Sequence, residues 1–374
     1  MRFGAAADDA VPLLIGALVA AAAIAFLVTP WVRRRAIRFD VLDRPGARRV
    51  NRKPVPRGGG VAVALAFIAV ATALVAINGA LRLVPMPAAL DAGELVALLA
   101  GGALAAALGA IDDYLDLRAR WQFLGQLGLA AGAVALGFGI SFINNPFAAE
   151  QIRFDGPFAA GFTMLWIIGM INSMNFIDGL DGLSTGIALI AALTLGVISL
   201  TTQINQPFVA VLCFALAGAL LGFLRWNFHP AAIFTGTSGT MFVGYTLAIL
   251  SILGSAKVAV ALLVLGVPII DTFWIIVRRA AAGRSPFTPD RGHIHHRLLD
   301  LGLSHRQTVL LIYGICGALG ILSLVLSGAN QVYAFLGVFV GTGAILFVLA
   351  WGGFSDSGLE AESYGEGDRA EGPR

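Results

Sequence analysis

The run Asn175-Phe-Ile-Asp178-Gly-Leu-Asp181-Gly places an amide and two carboxylates between two long apolar stretches. A carboxylate at a bilayer centre costs roughly 2.5 to 3.5 kcal/mol on insertion scales, falling toward the interface, so acids retained there point to chemistry. A second acidic group is Asp112-Asp113-Tyr-Leu-Asp116. On a continuing helix Asp112 and Asp116 share a face and Asp113 turns about 100° away. Neighbouring carboxylates at a membrane surface suit a divalent cation or a proton, and the bland alternative is a solvated helix end paired with Arg118 and Arg120.

Three further segments carry groups suited to phosphate. Lys53, Arg57 and the triplet Gly58–Gly60 open an apolar segment with backbone amides available to an anion. Thr237 and Ser238 stand at the start of another, where they either donate to an anion or serve as an ordinary N-cap. His293, His295, His296 and Arg297 form a dense donor array, for which zinc is the competing reading; the flanking arginines oppose a cation. Two isolated groups read as structural: His229 before a proline, and Asp271 in an apolar span with Arg278, two turns away, as one candidate partner.

What must position these residues is a membrane. Of 374 residues 58% are hydrophobic and 13% charged, and the mean hydropathy is +0.84, which excludes a soluble globular domain. Counting by length predicts an all-α, polytopic chain of eleven spans: 10–31, 58–78, 94–111, 120–142, 158–176, 183–200, 207–224, 237–254, 257–277, 308–328 and 332–352. Placing the Arg-rich loop 33–57 in the cytosol assigns 21 of the 25 basic residues to that side, with the N-terminus outside and the C-terminus inside. Residues 1–9 are then a short outer segment, 10–352 one transmembrane domain, and 353–374 an acidic cytoplasmic tail expected to lack order. The net charge of +3 follows from this topology and argues no nucleic-acid partner. Cys213 and Cys316 lie in apolar spans, so no disulfide framework is implied. Every strong motif falls on the cytosolic face, which describes an inner-membrane enzyme of phosphoryl transfer with its active site toward the cytoplasm.

Asp112-Asp113, the Asn175 to Gly182 run and Gly292-His293-Ile-His295-His296-Arg297 through Ser304 together resemble the polyprenyl-phosphate N-acetylhexosamine-1-phosphate transferases. The His loop is more similar to the N-acetylglucosamine branch than to the muramoyl-pentapeptide branch. The resemblance implies a UDP-N-acetylhexosamine donor, a polyprenyl phosphate acceptor, Mg²⁺ or Mn²⁺, and release of UMP; a homodimer is compatible with it. It implies Asp112 as base or orienting carboxylate with Asp113 in support, Asn175 and Asp178 at the metal, and Asp181 at metal or nucleotide. Lys53, Arg57, Thr237 and Ser238 join the substrate contacts, and His293, His295, His296 and Arg297 the diphosphate. Two positions depart from the family pattern: Thr237 replaces a metal-binding Asp, and Asn51 replaces a His. The alternatives are a non-catalytic paralogue that binds polyprenyl phosphate or a lipid-linked sugar, and a membrane prenyltransferase suggested by the Asp-Asp-x-x-Asp pattern.

Overall fold

In the computed structural model of the chain, the described residues are 4, 7–45, 53–87, 90–145, 151–202, 204–253, 257–281, 283, 293–326, 330–341 and 343. Asn51, the tail 353–374, and most of the N-terminal segment and the far end of the eleventh expected span lie outside them. The elements run α1 (Ala7–Arg38), β1 (Leu42–Asp43), β2 (Val55–Pro56), α2 (Gly60–Leu81), α3 (Ala92–Leu115), α4 (Ala119–Ala135), β3 (Phe142–Asn144) and β4 (Gln151–Arg153). There follow α5 (Gly156–Ile177), α6 (Leu183–Ser199), α7 (Pro207–Asn227), α8 (Gly236–Ile252), α9 (Lys257–Val264), α10 (Gly266–Ala281), α11 (Ile294–Asp300) and α12 (His305–Val325), then Asn330–Gly341. Helix dominates because a backbone in lipid must satisfy its N–H and C=O groups within the segment. The only strands among the described residues are two short antiparallel pairs, β1 with β2 and β3 with β4, both in connections.

Each expected span is helical over most of its length, but the lengths differ from expectation. Among the described residues six helices are long and apolar enough to cross a membrane, or seven if α9 and α10, bent by 77° at a one-residue break, count as one. Leu183–Ser199, Gly236–Ile252 and Asn330–Gly341 are shorter apolar helices. A 17-residue helix such as α6 or α8 is about 26 Å long, less than the roughly 30 Å hydrocarbon core. The expectation for 120–142 also contracts, since α4 stops at Ala135 and the chain enters β3.

The core is organised about α8, whose residues Ser238 to Ile252 are all buried. It packs against α3, α5 and α2, while α7 joins α1 to α6. Its polar side chains are used for packing rather than exposed: Tyr245 donates to the Ala97 carbonyl at 2.8 Å, and Trp166 Nε1 to Ser251 Oγ at 3.0 Å. With little hydrophobic gradient between lipid and helix, close backbone approach supplies much of the association. On α7, Gly218 and Gly222 face one way, and a Cβ on either would collide with the α1 backbone, at Leu18 and Ala22. Replacing Gly222 by Leu should therefore separate α1 from α7, at a cost on the order of 1 to 3 kcal/mol. A fall in the thermal midpoint of detergent-purified protein would report it, whereas Gly16→Ala, which meets nothing within 4 Å, should leave that midpoint unchanged.

Candidate active site

One end of the helical assembly gathers the ends of α1, α3, α5 and α7 and the starts of α2, α6, α8 and α12. There a cavity of about 690 Å³ is lined by residues from five separate connections. The volume falls in the range of small-molecule sites. Among the sequence candidates, Lys53, Arg57, Asp113, Asn175, Asp178, Asp181, Thr237 and His296 line it. Asp112, Ser238, His293, His295 and Arg297 are not part of that lining.

The α3–α8 junction decides which member of the acidic pair faces the cavity. Helix α3 does not continue to Asp116; it ends at Leu115, and Asp116 caps it in the left-handed conformation with φ 51°. Asp112 and Asp116 therefore do not form the shared face expected of a continuous helix. Asp112 Oδ1 turns back to accept from Leu117 N at 3.0 Å and from Gln122 Nε2 at 2.8 Å, bracing the α3–α4 turn. Asp113 reaches the start of α8, where Thr237 N donates to Oδ1 at 2.9 Å and Ser238 N to Oδ2 at 3.0 Å. An anion at a helix N-terminus is favoured by free N–H groups and the helix dipole. That terminus is thus occupied by the protein's own carboxylate, and the N-cap position is Thr235 rather than Thr237 or Ser238. Gly236 makes the approach possible: its φ is +71°, and a Cβ there would lie 2.6 Å from Asp113 Oδ2.

The Gly58–Gly60 amides are likewise less free than expected. Gly59 N donates to Phe234 O at 2.9 Å and Gly60 N to Thr235 O at 2.8 Å, tying the α2 start to the segment before α8. Arg57 is held beside them, its Nε donating to the Asp113 carbonyl at 2.9 Å and lying 4.0 Å from Asp113 Oδ1; its Nη2 is 3.8 Å from Asp116.

At the α5–α6 turn, Asn175 Oδ1 accepts from Thr240 at 3.0 Å, and Ser184 donates to Asp178 Oδ1. Burial above all, with Asp113 and Asp181 adding and the Ser184 and Thr235 hydroxyls opposing, pushes the Asp178 carboxyl up to about 7. This is a deficit of positive charge around hard oxygen donors. Asn175, Asp178 and Asp113 are accordingly a donor set that fits a hard divalent cation. Asp181 accepts from His229 Nδ1 at 2.7 Å and from Ala231 N at 3.0 Å through the same oxygen. Asn172, at the start of this motif, donates instead to Gln126 at 2.6 Å and to Ile168 O, joining α5 to α4.

The histidine loop divides its labour. His293 Nδ1 meets Asp271 Oδ2 at 2.7 Å, and Ile294 N donates to Asp271 Oδ1 at 2.9 Å. The partner of Asp271 is therefore His293, in place of the Arg278 expected from helical spacing. His295 is buried against Gly179, where any Cβ would strike its ring. Burial, with His296 and His293 adding, holds its pKa well below the usual histidine value, so it is a neutral packing element rather than a cationic phosphate donor. His296 alone of the three reaches the cavity lining.

Several lining residues escaped sequence reasoning, notably Asp43, Asn227 and His305, and His229, read there as structural, also lines the cavity. Asn227 Oδ1 accepts from Thr185 at 2.7 Å, and its Nδ2 donates to Ile233 O at 3.1 Å, fixing the loop before α8. His305 follows Ser304, whose capping box with Gln307 starts α12. Its only signal in sequence was proximity to the other three histidines of that loop.

The Asp178 environment sets a pH dependence. A carboxyl whose folded pKa is raised from 3.8 to about 7 imposes no penalty below pH 3.8, a growing one between the two values and its full penalty above 7. In EDTA the unfolding free energy should fall as pH rises from 5 to 8, by on the order of 1 to 4 kcal/mol, and the thermal midpoint should fall with it. Asp178→Asn should flatten that slope, and melting curves across the range read it directly.

The sequence matches the family model described as Glycosyl transferase family 4 over residues 95–255. It is 36% identical to the probable undecaprenyl-phosphate N-acetylglucosaminyl 1-phosphate transferase of Bacillus subtilis, over 86% of this chain and 87% of that protein. It is 37% identical to the decaprenyl-phosphate N-acetylglucosaminephosphotransferase of Mycolicibacterium smegmatis, over 88% and 86%. A phospho-N-acetylmuramoyl-pentapeptide-transferase of Listeria monocytogenes is 35% identical over 57% of this chain and 68% of its own length.

Proposed function

Since the chain belongs to glycosyl transferase family 4 and is a membrane phosphotransferase of the polyprenyl-phosphate N-acetylglucosamine-1-phosphate type, we propose that it transfers N-acetylglucosamine-1-phosphate from UDP-N-acetylglucosamine to undecaprenyl or another polyprenyl phosphate. The observation that carries this reading is the convergence of Lys53, Arg57 and His296 with Asp113, Asn175 and Asp178 on one cavity of about 690 Å³ at the ends of apolar helices. A polar donor enters from water while a lipid-borne acceptor approaches between helices. Lys53, Arg57 and Arg306 of the basic loops lie at this end, which supports a cavity facing the cytoplasm and an inner-membrane location.

An oxygen of the acceptor phosphate attacks the sugar-bearing phosphorus of the donor. The bond from that phosphorus to the bridging oxygen breaks, and UMP leaves with the oxygen and its electron pair. A phosphate monoester has a second pKa near 6, so the acceptor reacts largely as a dianion at neutral pH and needs little help from a base. Asp113, held in a rigid position, would orient the acceptor as one of the oxygen donors to the cation, and Asp112 positions the α3–α4 turn behind it. Lys53, Arg57 and His296 draw the diphosphate into the cavity. Asn175 and Asp178 would hold Mg²⁺ or Mn²⁺, which neutralises charge developing on the transferred phosphoryl group. Thr237 lines the same cavity, and as a neutral residue it would leave the cation's charge to Asp113 and Asp178.

Purified protein with undecaprenyl phosphate, UDP-N-acetylglucosamine and Mg²⁺ should release UMP, and EDTA should stop it. Asp113→Asn should lower kcat by about two orders of magnitude or more, on the scale of losing a positioned transition-state contact. Asp112→Asn should lower it less, through a softened α3–α4 turn. Release from UDP-N-acetylmuramoyl-pentapeptide alone would overturn the donor assignment, and full activity in Asp113→Asn would remove that residue from the mechanism.

A further inference from the structure

We propose that Asp181, His229 and His305 form a second, nitrogen-rich cation site in the same cavity, one that takes a first-row transition dication such as Zn²⁺ or Co²⁺. Each residue offers one ligand atom, and the three atoms lie within 4.8 Å of one another. Ligands bound at about 2.0 to 2.2 Å around one ion stand roughly 3 to 3.5 Å apart, so modest side-chain rotation closes the set. The three come from different parts of the chain: the α5–α6 turn, the loop after α7 and the first turn of α12.

Two independent features point to a ligand here. The His229 and His305 rings stack at 4.1 Å between centroids and 21° between planes. Two imidazoles in contact are a poor arrangement if both become cations, and a good one if both present lone pairs. Both ring nitrogens of His305 are also buried with no hydrogen-bond partner among the described residues, a costly condition for a polar group unless something else coordinates it. His229 is anchored from the other side through its backbone, whose carbonyl accepts from Arg306 at 3.1 Å. The contact of His229 Nδ1 with Asp181 Oδ2 gives the carboxylate two uses, as a ligand or as the acceptor that orients the imidazole.

The donor chemistry separates this site from the one around Asn175 and Asp178. Oxygen-only donors suit Mg²⁺, whereas two imidazoles and a carboxylate favour transition metals. All three residues line the cavity, so an ion bound there adds a second positive charge to the space that receives the phosphates.

Cobalt titration tests the site without reference to the transfer reaction, so its outcome stands apart from that of the UMP assay. Full-length protein stripped with EDTA and held in excess Mg²⁺ should bind one Co²⁺ per chain with a visible ligand-field spectrum. His229→Ala and His305→Ala should each weaken that binding at least tenfold, while His296→Ala stays within twofold. Equal binding by wild type and all three variants, or displacement of Co²⁺ by Mg²⁺, would overturn the proposal. Pulsed EPR of the Cu²⁺-loaded wild type needs no variant: two coordinated imidazoles are expected, and fewer than two would refute the site.

Discussion

The contact between Asp113 and the first amides of α8 is the constraint on which the site depends. Helix α3 ends and helix α8 begins at the same point, and a single carboxylate closes the junction by accepting from Thr237 N and Ser238 N. The opposed helix ends supply complementary partial charges, and the carboxylate completes the match. Around it, Gly236 allows the approach, Arg57 spans from the Asp113 carbonyl toward Asp116, and the Gly59 and Gly60 amides tie α2 to the same segment. Three helices are thereby fixed relative to one another where the substrate must sit. Because α8 is buried along nearly its whole length, this junction cannot drift without disturbing the core.

Electrostatic economy runs through the rest of the cavity. Asp113, Asp178 and Asp181 share a partly dry space, and the raised pKa of Asp178 comes first from its burial and only then from the charges of the other two. The cations that face them, Lys53 and Arg57, come from the loop between α1 and α2, while His229, His296 and His305 come from segments far apart in sequence. Binding a negatively charged donor to such a wall requires positive charge beyond these side chains. A hard cation at the oxygen donors would meet that need, and a transition cation at the imidazoles would meet it a second time.

The histidine loop shows how an apparently uniform motif divides into different roles once folded. His293 joins the loop to α10 through Asp271, His295 fills the space above Gly179, and His296 faces the cavity. Spacing of one or two residues turns successive side chains to different faces. A cluster of like residues in sequence is therefore no measure of how many enter a site.

Composition by itself determined that the chain is a membrane protein, because no soluble fold accommodates a mean hydropathy of +0.84. Run length placed the helices, since each apolar stretch bounded by charge has only one way to satisfy its backbone in lipid. The motifs also told which loops come together: Lys53, Arg57, Asp113, Asn175, Asp178, Asp181, Thr237 and His296 all line one cavity. Only the tertiary structure chose between Asp112 and Asp113, because that choice follows from where α3 stops and from what α8 presents to it. It also gave Asp271 its partner, showed the bend between α9 and α10, and brought His229 and His305 to Asp181. These are contacts between residues 22 to more than 100 positions apart, and the local periods of a sequence hold no information about which distant helix end will arrive at a given side chain.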